Sequence, residues 1–153
     1  MQAPRRSKPY SVRRSEIHGR GVFASRTIRK GTVIIEYRGV RTTWEAASER
    51  QSSDSDPQHT FIFATHDGRV IDASRRGNAA RWINHSCAPN CRTFEDEQGR
   101  VFIEAKRTIS AGDELTYDYQ LELDERVTAK LRAEYACRCG AKRCRGTLLA
   151  TSR

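Results

Sequence analysis

No run of apolar residues in this sequence approaches the ~20 needed to cross a bilayer as a helix. The stretch Met1 to Arg14 is basic but lacks the apolar segment of a secretory signal, so it reads as a flexible arm. The phosphate-loop pattern GxxxxGK(S/T) is absent, which removes the usual nucleotide cradle. There are no internal repeats and no low-complexity tract. Acidic residues are the minority: 19 Asp and Glu against 28 Lys and Arg leave a net charge of +9. That balance suits contact with nucleic acid or another polyanion, and equally a generally basic, soluble surface. The acid gathers in two knots, Glu95-Asp96-Glu97 and residues 122–125, which a basic peptide would prefer.

What is present fits one domain with one core over 153 residues. At 37% hydrophobic the core is modest and would gain from a metal staple. Five cysteines without a secretory signal argue for reduced thiols and metal rather than disulfides, hence an intracellular, reducing compartment. The odd count fits four ligands and one spare.

Arg81 to Cys91 is the densest chemistry, with two carboxamides, an imidazole, a hydroxyl and two thiols in eleven residues. Such polar groups need partners wherever they are buried. Cys87 has no CxxC partner beside it, so its companions must come from afar, at Cys137, Cys139 and Cys144.

The remainder reads as short strands and tight turns. His18-Gly19-Arg20-Gly21 is a Gly-x-Gly turn leading into an apolar stretch, where glycine admits positive φ or close backbone approach. Thr32 to Tyr37 is a strand. Thr43 to Arg50 is the first credible helix, with Thr43 as N-cap. Gln51 to Gln58 is an exposed loop. Thr60–Thr65 and Arg69–Ala73 flank His66-Asp67-Gly68, a hairpin signal. Gly77 to Ile83 makes a short helix or turn. Cys91–Phe94 and Arg100–Ala105 flank a second turn, and Leu115–Tyr119 follows a third. Val127, Leu131 and Tyr135 make one narrow stripe on a packing helix within Leu121–Tyr135. Little helix and many turns predict a mostly β fold.

Five motifs then coincide in order: His18-Gly19-Arg20-Gly21-Val22-Phe23, Glu36-Tyr37-Arg38-Gly39, Gly77 through Cys91, Glu114-Leu115-Thr116-Tyr117-Asp118-Tyr119, and the C-x-C-x4-C tail Cys137 to Cys144. Together they resemble SET-domain protein lysine methyltransferases with a post-SET zinc motif, over roughly Ser11 to Leu149. The resemblance implies small β-sheets with a C-terminal pseudoknot, in which one segment threads beneath a loop, an arrangement rare in general. It divides the chain into a basic arm (1–10), a SET domain (11–120), a helical linker (121–136) and a zinc-binding tail (137–153).

The same resemblance assigns roles. S-adenosylmethionine and a substrate lysine would enter from opposite faces of a narrow channel. Tyr119 would be the catalytic hydroxyl, and Tyr117 would limit the number of methyl groups, favouring monomethylation. His18, Gly19, Arg20, Gly21, Phe61, Arg81, Asn84, His85 and Arg138 would contact the cofactor. Phe61, Phe63, Tyr117 and Tyr119 would line the lysine channel. Phe61 departs from the tyrosine many members carry, which removes one hydroxyl from that channel. Cys87, Cys137, Cys139 and Cys144 would hold a structural zinc ion, four thiolates being its preferred tetrahedron. Cys91 would be a buried spare.

Methyl transfer to an amine needs a neutral lysine, a dry channel and alignment, so positioning and electrostatics would carry it. The expected substrate is a histone or another basic protein. Competing readings are a catalytically weak SET-like binding module and a zinc-stapled nucleic-acid binder without cofactor, whose binding would be strongly salt-dependent. A short stand-alone chain suits a bacterial cytoplasm, and the basic substrate suits a nucleus or a host's chromatin.

Overall fold

Hairpins account for most of the structure, because the turns between them are encoded locally. The computed structural model describes residues 7–51, 61–121 and 126–150. The polar loop expected over Gln51–Gln58 and the acidic knot at 122–125 lie largely or wholly outside them.

β5 (Ile62–Ala64) and β6 (Val70–Asp72) pair antiparallel across the predicted turn. Asp67 there accepts from Thr65 Oγ1 at 2.6 Å and from the Arg69 amide at 3.0 Å. Gly68 takes φ +82°, which costs a β-carbon-bearing residue energy and glycine none. β8 (Cys91–Glu95) and β9 (Val101–Ala105) pair likewise. Asp96 Oδ1 closes their turn by accepting from Gln98 N and Arg100 N. In β9, Val101, Ile103 and Ala105 are buried and the residues between them are not, the period of two expected of a strand.

β9 is the centre of one three-stranded sheet, between β8 and β3 (Val33–Glu36). β6 is the centre of another, between β5 and β4 (Val40–Thr42). Between the sheets lies a core of Val22, Ile71, Ile83, Val101, Ile103 and Leu115, with others. α1 (Trp44–Gln51) follows β4, and Thr43 Oγ1 accepts from Ala46 N at 3.2 Å, the predicted N-cap.

The arm is shorter than the sequence suggests. Tyr10–Arg14 forms β1, antiparallel to β2 (Arg20–Ala24), with Val12 opposite Val22. Four of its five side chains are exposed, so its composition resembles an arm while its backbone is paired. The linker helix also contracts, to α2 (Ala129–Glu134). Thr128 caps it by accepting from Leu131 N, which leaves Val127 outside and 40% exposed. No residue of α2 is buried, so the expected apolar stripe does not form. The tail packs instead through Leu148 and Leu149, both buried, and Leu121 bridges Leu149.

One contact joins distant parts of the chain. β7 (Asn84–His85) runs parallel to β10 (Thr116–Tyr117), with Thr116 opposite Asn84 and Tyr117 opposite His85. The β8–β9 hairpin fills the excursion between them.

Candidate active site and thiol cluster

The approach to β7 is a 3-10 turn, Ala79–Trp82, capped by Asn78 Oδ1 accepting from Ala80 N. Gly77 precedes it because a β-carbon there would lie 2.0 Å from the Ala73 carbonyl oxygen. The turn delivers Asn84, 1% exposed, to the bottom of the site. Its Nδ2 lies 3.1 Å from His18 O, 3.0 Å from Arg20 O and 2.8 Å from Glu114 Oε2. Asn84 thus clamps the Gly-x-Gly loop to the segment before β10. Glu114 secures the other side by accepting from Ser15 Oγ. Gly21 sits between them, where a β-carbon would come 2.3 Å from Glu114 Oε2.

Asn90 is a second clamp. It donates to Glu114 O at 2.8 Å and accepts from Thr116 N at 2.9 Å. Neither Asn90 nor Glu114 was assigned a role from sequence. Both stand inside the quoted motifs, and that was the available signal.

Replacing Asn84 by alanine would leave two part-buried loop carbonyls and one carboxylate without their shared donor. Each such loss costs about 1–3 kcal/mol, so Asn84→Ala is expected to lower stability by about 3 kcal/mol. A denaturant melt measures it, and an unchanged midpoint would contradict the clamp.

The imidazole of His85 is likewise committed inward. Its Nδ1 accepts from the Tyr119 amide at 2.9 Å, and its Nε2 lies 3.3 Å from Cys87 Sγ. Burial brings its pKa down to about 4, against the opposing pull of Asp118, so the ring is neutral at pH 7. The Asn84 amide nitrogen and both His85 ring nitrogens are thus engaged within the protein.

Four rings gather beside β10. Tyr117 and Tyr119 have centroids 4.9 Å apart, Phe63 is 6.4 Å from Tyr117, and Tyr37 is 5.2 Å from Phe63. Tyr37 is not among the predicted channel residues, although it lies in the motif Glu36-Tyr37-Arg38-Gly39. Tyr119 donates its hydroxyl to Ile83 O. Burial raises the pKa of Tyr37, Tyr117 and Tyr119 above that of free tyrosine, so all three are phenols and not phenolates.

Phe61 goes elsewhere: it meets Trp82 edge-on at 5.4 Å, and the Arg81 guanidinium lies over both rings. The predicted cofactor residues Phe61, Arg81 and Arg20 therefore meet around Trp82, with Arg20 5.6 Å from that ring. His18 is half-buried, and Arg138 is exposed on the tail. On the far side of Tyr37 opens a cleft of ≈ 370 Å³ lined by Glu36, Arg38, Arg41 and Arg76 among others. Three guanidiniums against one carboxylate make it unsuited to a basic side chain.

Cys87, Cys137, Cys139 and Cys144 bring their sulfurs within 4.8 Å of one another. Cys87 Sγ is 3.7 Å from Cys137 Sγ and 4.0 Å from Cys144 Sγ. A tetrahedron of zinc–sulfur bonds near 2.3 Å has edges of about 3.8 Å, so the quartet fits a structural zinc ion. Amides of Arg145, Cys139 and Gly146 point at three of the sulfurs. Burial opposes ionisation of Cys139, but hydrogen bonds from the Cys87 and Ala141 amides and the neighbouring thiols bring it to about 6. Cys91 is apart, 1% exposed in β8 and pushed up to about 12 by burial, the inert spare that was expected.

Arg145 fastens this tail to β10's end. Its two terminal nitrogens donate to the two Asp118 oxygens, each at 3.0 Å. Burial opposes the charge on Asp118, but the guanidinium outweighs it and holds the carboxyl below its usual range. In the acidic knot Glu95-Asp96-Glu97, Glu95 pairs with His66 and Asp96 with Arg100, so two of its three carboxylates already have basic partners.

A mostly β chain with an Asn-His strand laid parallel to a Tyr-x-Tyr strand defines a domain built round an aromatic wall, with a cluster of Cys87 and three tail thiols that could hold a metal ion. The family model for the SET domain matches residues 19–120, and the chain belongs to the SET-domain family. It is 44% identical over 138 residues to "Histone-lysine N-methyltransferase 2B" of Homo sapiens, covering 88% of this chain and 5% of that protein. It is 43% identical to "Histone-lysine N-methyltransferase trithorax" of Drosophila melanogaster, over 88% of this chain and 4% of that one. A Candida albicans protein, "Histone-lysine N-methyltransferase, H3 lysine-4 specific", is 37% identical over 94% of this chain and 14% of its own length. The chain thus spans only a small part of these relatives. Among the described residues no helix is long and apolar enough to cross a membrane.

Proposed function

We propose that this protein transfers a methyl group from S-adenosylmethionine to the side-chain amine of a lysine in a histone or another basic protein. The observation that carries the reading is the β7–β10 pairing, which sets the Asn84-clamped glycine loop against the Tyr117–Tyr119 pair. Relatives bearing histone-lysine methyltransferase names support the reaction class.

S-adenosylmethionine supplies an electrophilic methyl group on a sulfonium. The chain supplies position. The main chain of His18 to Gly21 and of Asn84–His85, with Arg20, Arg81, Phe61 and Arg138, would form the cofactor side. Tyr37, Phe63, Tyr117 and Tyr119 would form the lysine side. Aromatic walls exclude water, which favours the neutral amine that must attack. The Tyr119 phenol, fixed by Ile83 O and by His85, would orient the reacting centre. A zinc ion on the four thiolates would hold the tail in place and take no part in transfer.

The Tyr117 hydroxyl would restrict the room for added methyl groups, so monomethyl-lysine is the expected product. Incubation with labelled cofactor and core histones, read by intact-protein mass, tests the reaction. A binding module would retain cofactor or histone and transfer nothing. Tyr117→Phe is expected to raise the share of dimethyl product by roughly tenfold, equivalent to ~1.4 kcal/mol of lost discrimination. An unchanged product ratio would remove Tyr117 from that role.

A further inference from the structure

We propose that His85 is a positioning residue that ties Tyr119 to the thiol-held tail, so that metal binding sets the placement of the Tyr119 phenol. The inference rests on the functional reading above only for its consequence in transfer. The coupling itself is a property of the fold.

The tautomer follows from the partners. A backbone amide can only donate, so His85 Nδ1, 2.9 Å from Tyr119 N, must present its lone pair. The proton of the neutral ring therefore sits on Nε2, 3.3 Å from Cys87 Sγ, and is donated to the sulfur. Asp118 Oδ1 lies 3.5 Å from Nδ1, but that nitrogen is already occupied as an acceptor. The ring, 2% exposed in its side chain, is shut off from water, so these two bonds are its polar contacts with the rest of the protein.

A second connection closes a circuit. Arg145 donates its amide to Cys87 Sγ at 3.2 Å and its guanidinium to both oxygens of Asp118. Asp118 adjoins Tyr119. Cys87, His85, Tyr119, Asp118 and Arg145 thus form a closed ring of bonds with the Cys87 sulfur at its head. Tyr119 is held at both ends by one segment, its amide by His85 and its hydroxyl by Ile83. A shift of the sulfur is carried through the imidazole to the backbone that bears the phenol. With four ligands on a metal the sulfur is fixed. Without the metal the circuit loses its rigid member.

His85→Asn keeps an acceptor near Nδ1 but cannot reach Cys87, and His85→Gln reaches toward Cys87 but gives up the Nδ1 acceptor. The test follows two quantities that do not need turnover: zinc release to a chromophoric chelator, and the amide and ring resonances of Tyr119 with and without zinc. In the wild type, zinc removal should shift the Tyr119 signals while those of the β8–β9 hairpin stay in place. In His85→Asn zinc should bind about 10- to 100-fold more weakly, the usual loss when a ligand's outer partner is removed, and the Tyr119 signals should no longer follow the metal. His85→Gln should restore zinc retention without restoring the Tyr119 amide shift. Wild-type Tyr119 signals indifferent to zinc would overturn the coupling, and so would His85→Asn releasing zinc at the wild-type rate. If neither His85 variant folds, the wild-type comparison decides alone. Should the wild type transfer no methyl group, the functional reading fails and these measurements still stand.

Discussion

Tyr119→Phe is expected to reduce methyl transfer by about 100-fold or more while the protein stays folded. Removing one preorganised polar group from a reacting centre costs about two to three orders of magnitude, and here the group presented is the lone pairs of the phenol oxygen. The structural cost is small by comparison. The phenol donates one hydrogen bond, to Ile83 O, and a single neutral bond is worth about 1 kcal/mol. The ring keeps its contacts with Tyr117 and His85. The amide bond from Tyr119 to His85 is untouched, because it belongs to the backbone. Single-turnover methylation measured by mass, beside a thermal melt, separates the two effects. Full transfer by the phenylalanine variant would move the catalytic role to another residue. Loss of transfer with a collapsed melt would make the hydroxyl structural.

Stripping the metal is expected to cost the protein its tail and its activity together. Structural zinc in small modules contributes about 10–16 kcal/mol of binding free energy. Here the tail has other attachments that share the load: Leu148 and Leu149 are buried, and Arg145 is paired with Asp118. The observable loss is therefore smaller, about 3 kcal/mol or more, which for a chain of this size is a fall of about 6–12 °C in melting temperature. Cys137→Ser should reproduce the effect of a chelator, and Cys91→Ser should not, because Cys91 lies in β8 and outside the quartet. Retention of zinc and melting temperature after Cys137→Ser would dissolve the cluster as a metal site. Because ligand thiols must release protons, zinc affinity is also expected to fall as pH is lowered.

The glycine loop, the tyrosine pair and the thiol spacing were all visible in the sequence, but the reasons for several of them were not. Glu114 looked like the start of a strand motif. Its carboxylate is in fact the point where Ser15, Gly21 and Asn84 converge. Tyr37 stands in a recognisable motif, but its role shows only in the contact of its ring with Phe63. β1 was missed because its side chains are polar and exposed, so no alternation marks it, and its strand character comes from pairing with β2. The apolar stripe expected of the linker does not form. Three apolar residues at the spacing of a helix say nothing about where the cap falls, and Thr128 begins the helix one residue too late for Val127.

The sequence by itself determined the hairpins, the helix cap at Thr43 and the identity of the four thiols. Each is settled by residues a few positions apart, or by a ligand type that little else explains. Only the tertiary structure decided that Asn84–His85 lies parallel to Thr116–Tyr117, which way the His85 ring is bonded, and that Arg145 closes the tail on Asp118. The physical reason is range. A turn is chosen by local dihedral preferences, whereas a parallel pairing across an intervening hairpin is chosen by the burial and hydrogen bonding of the whole core.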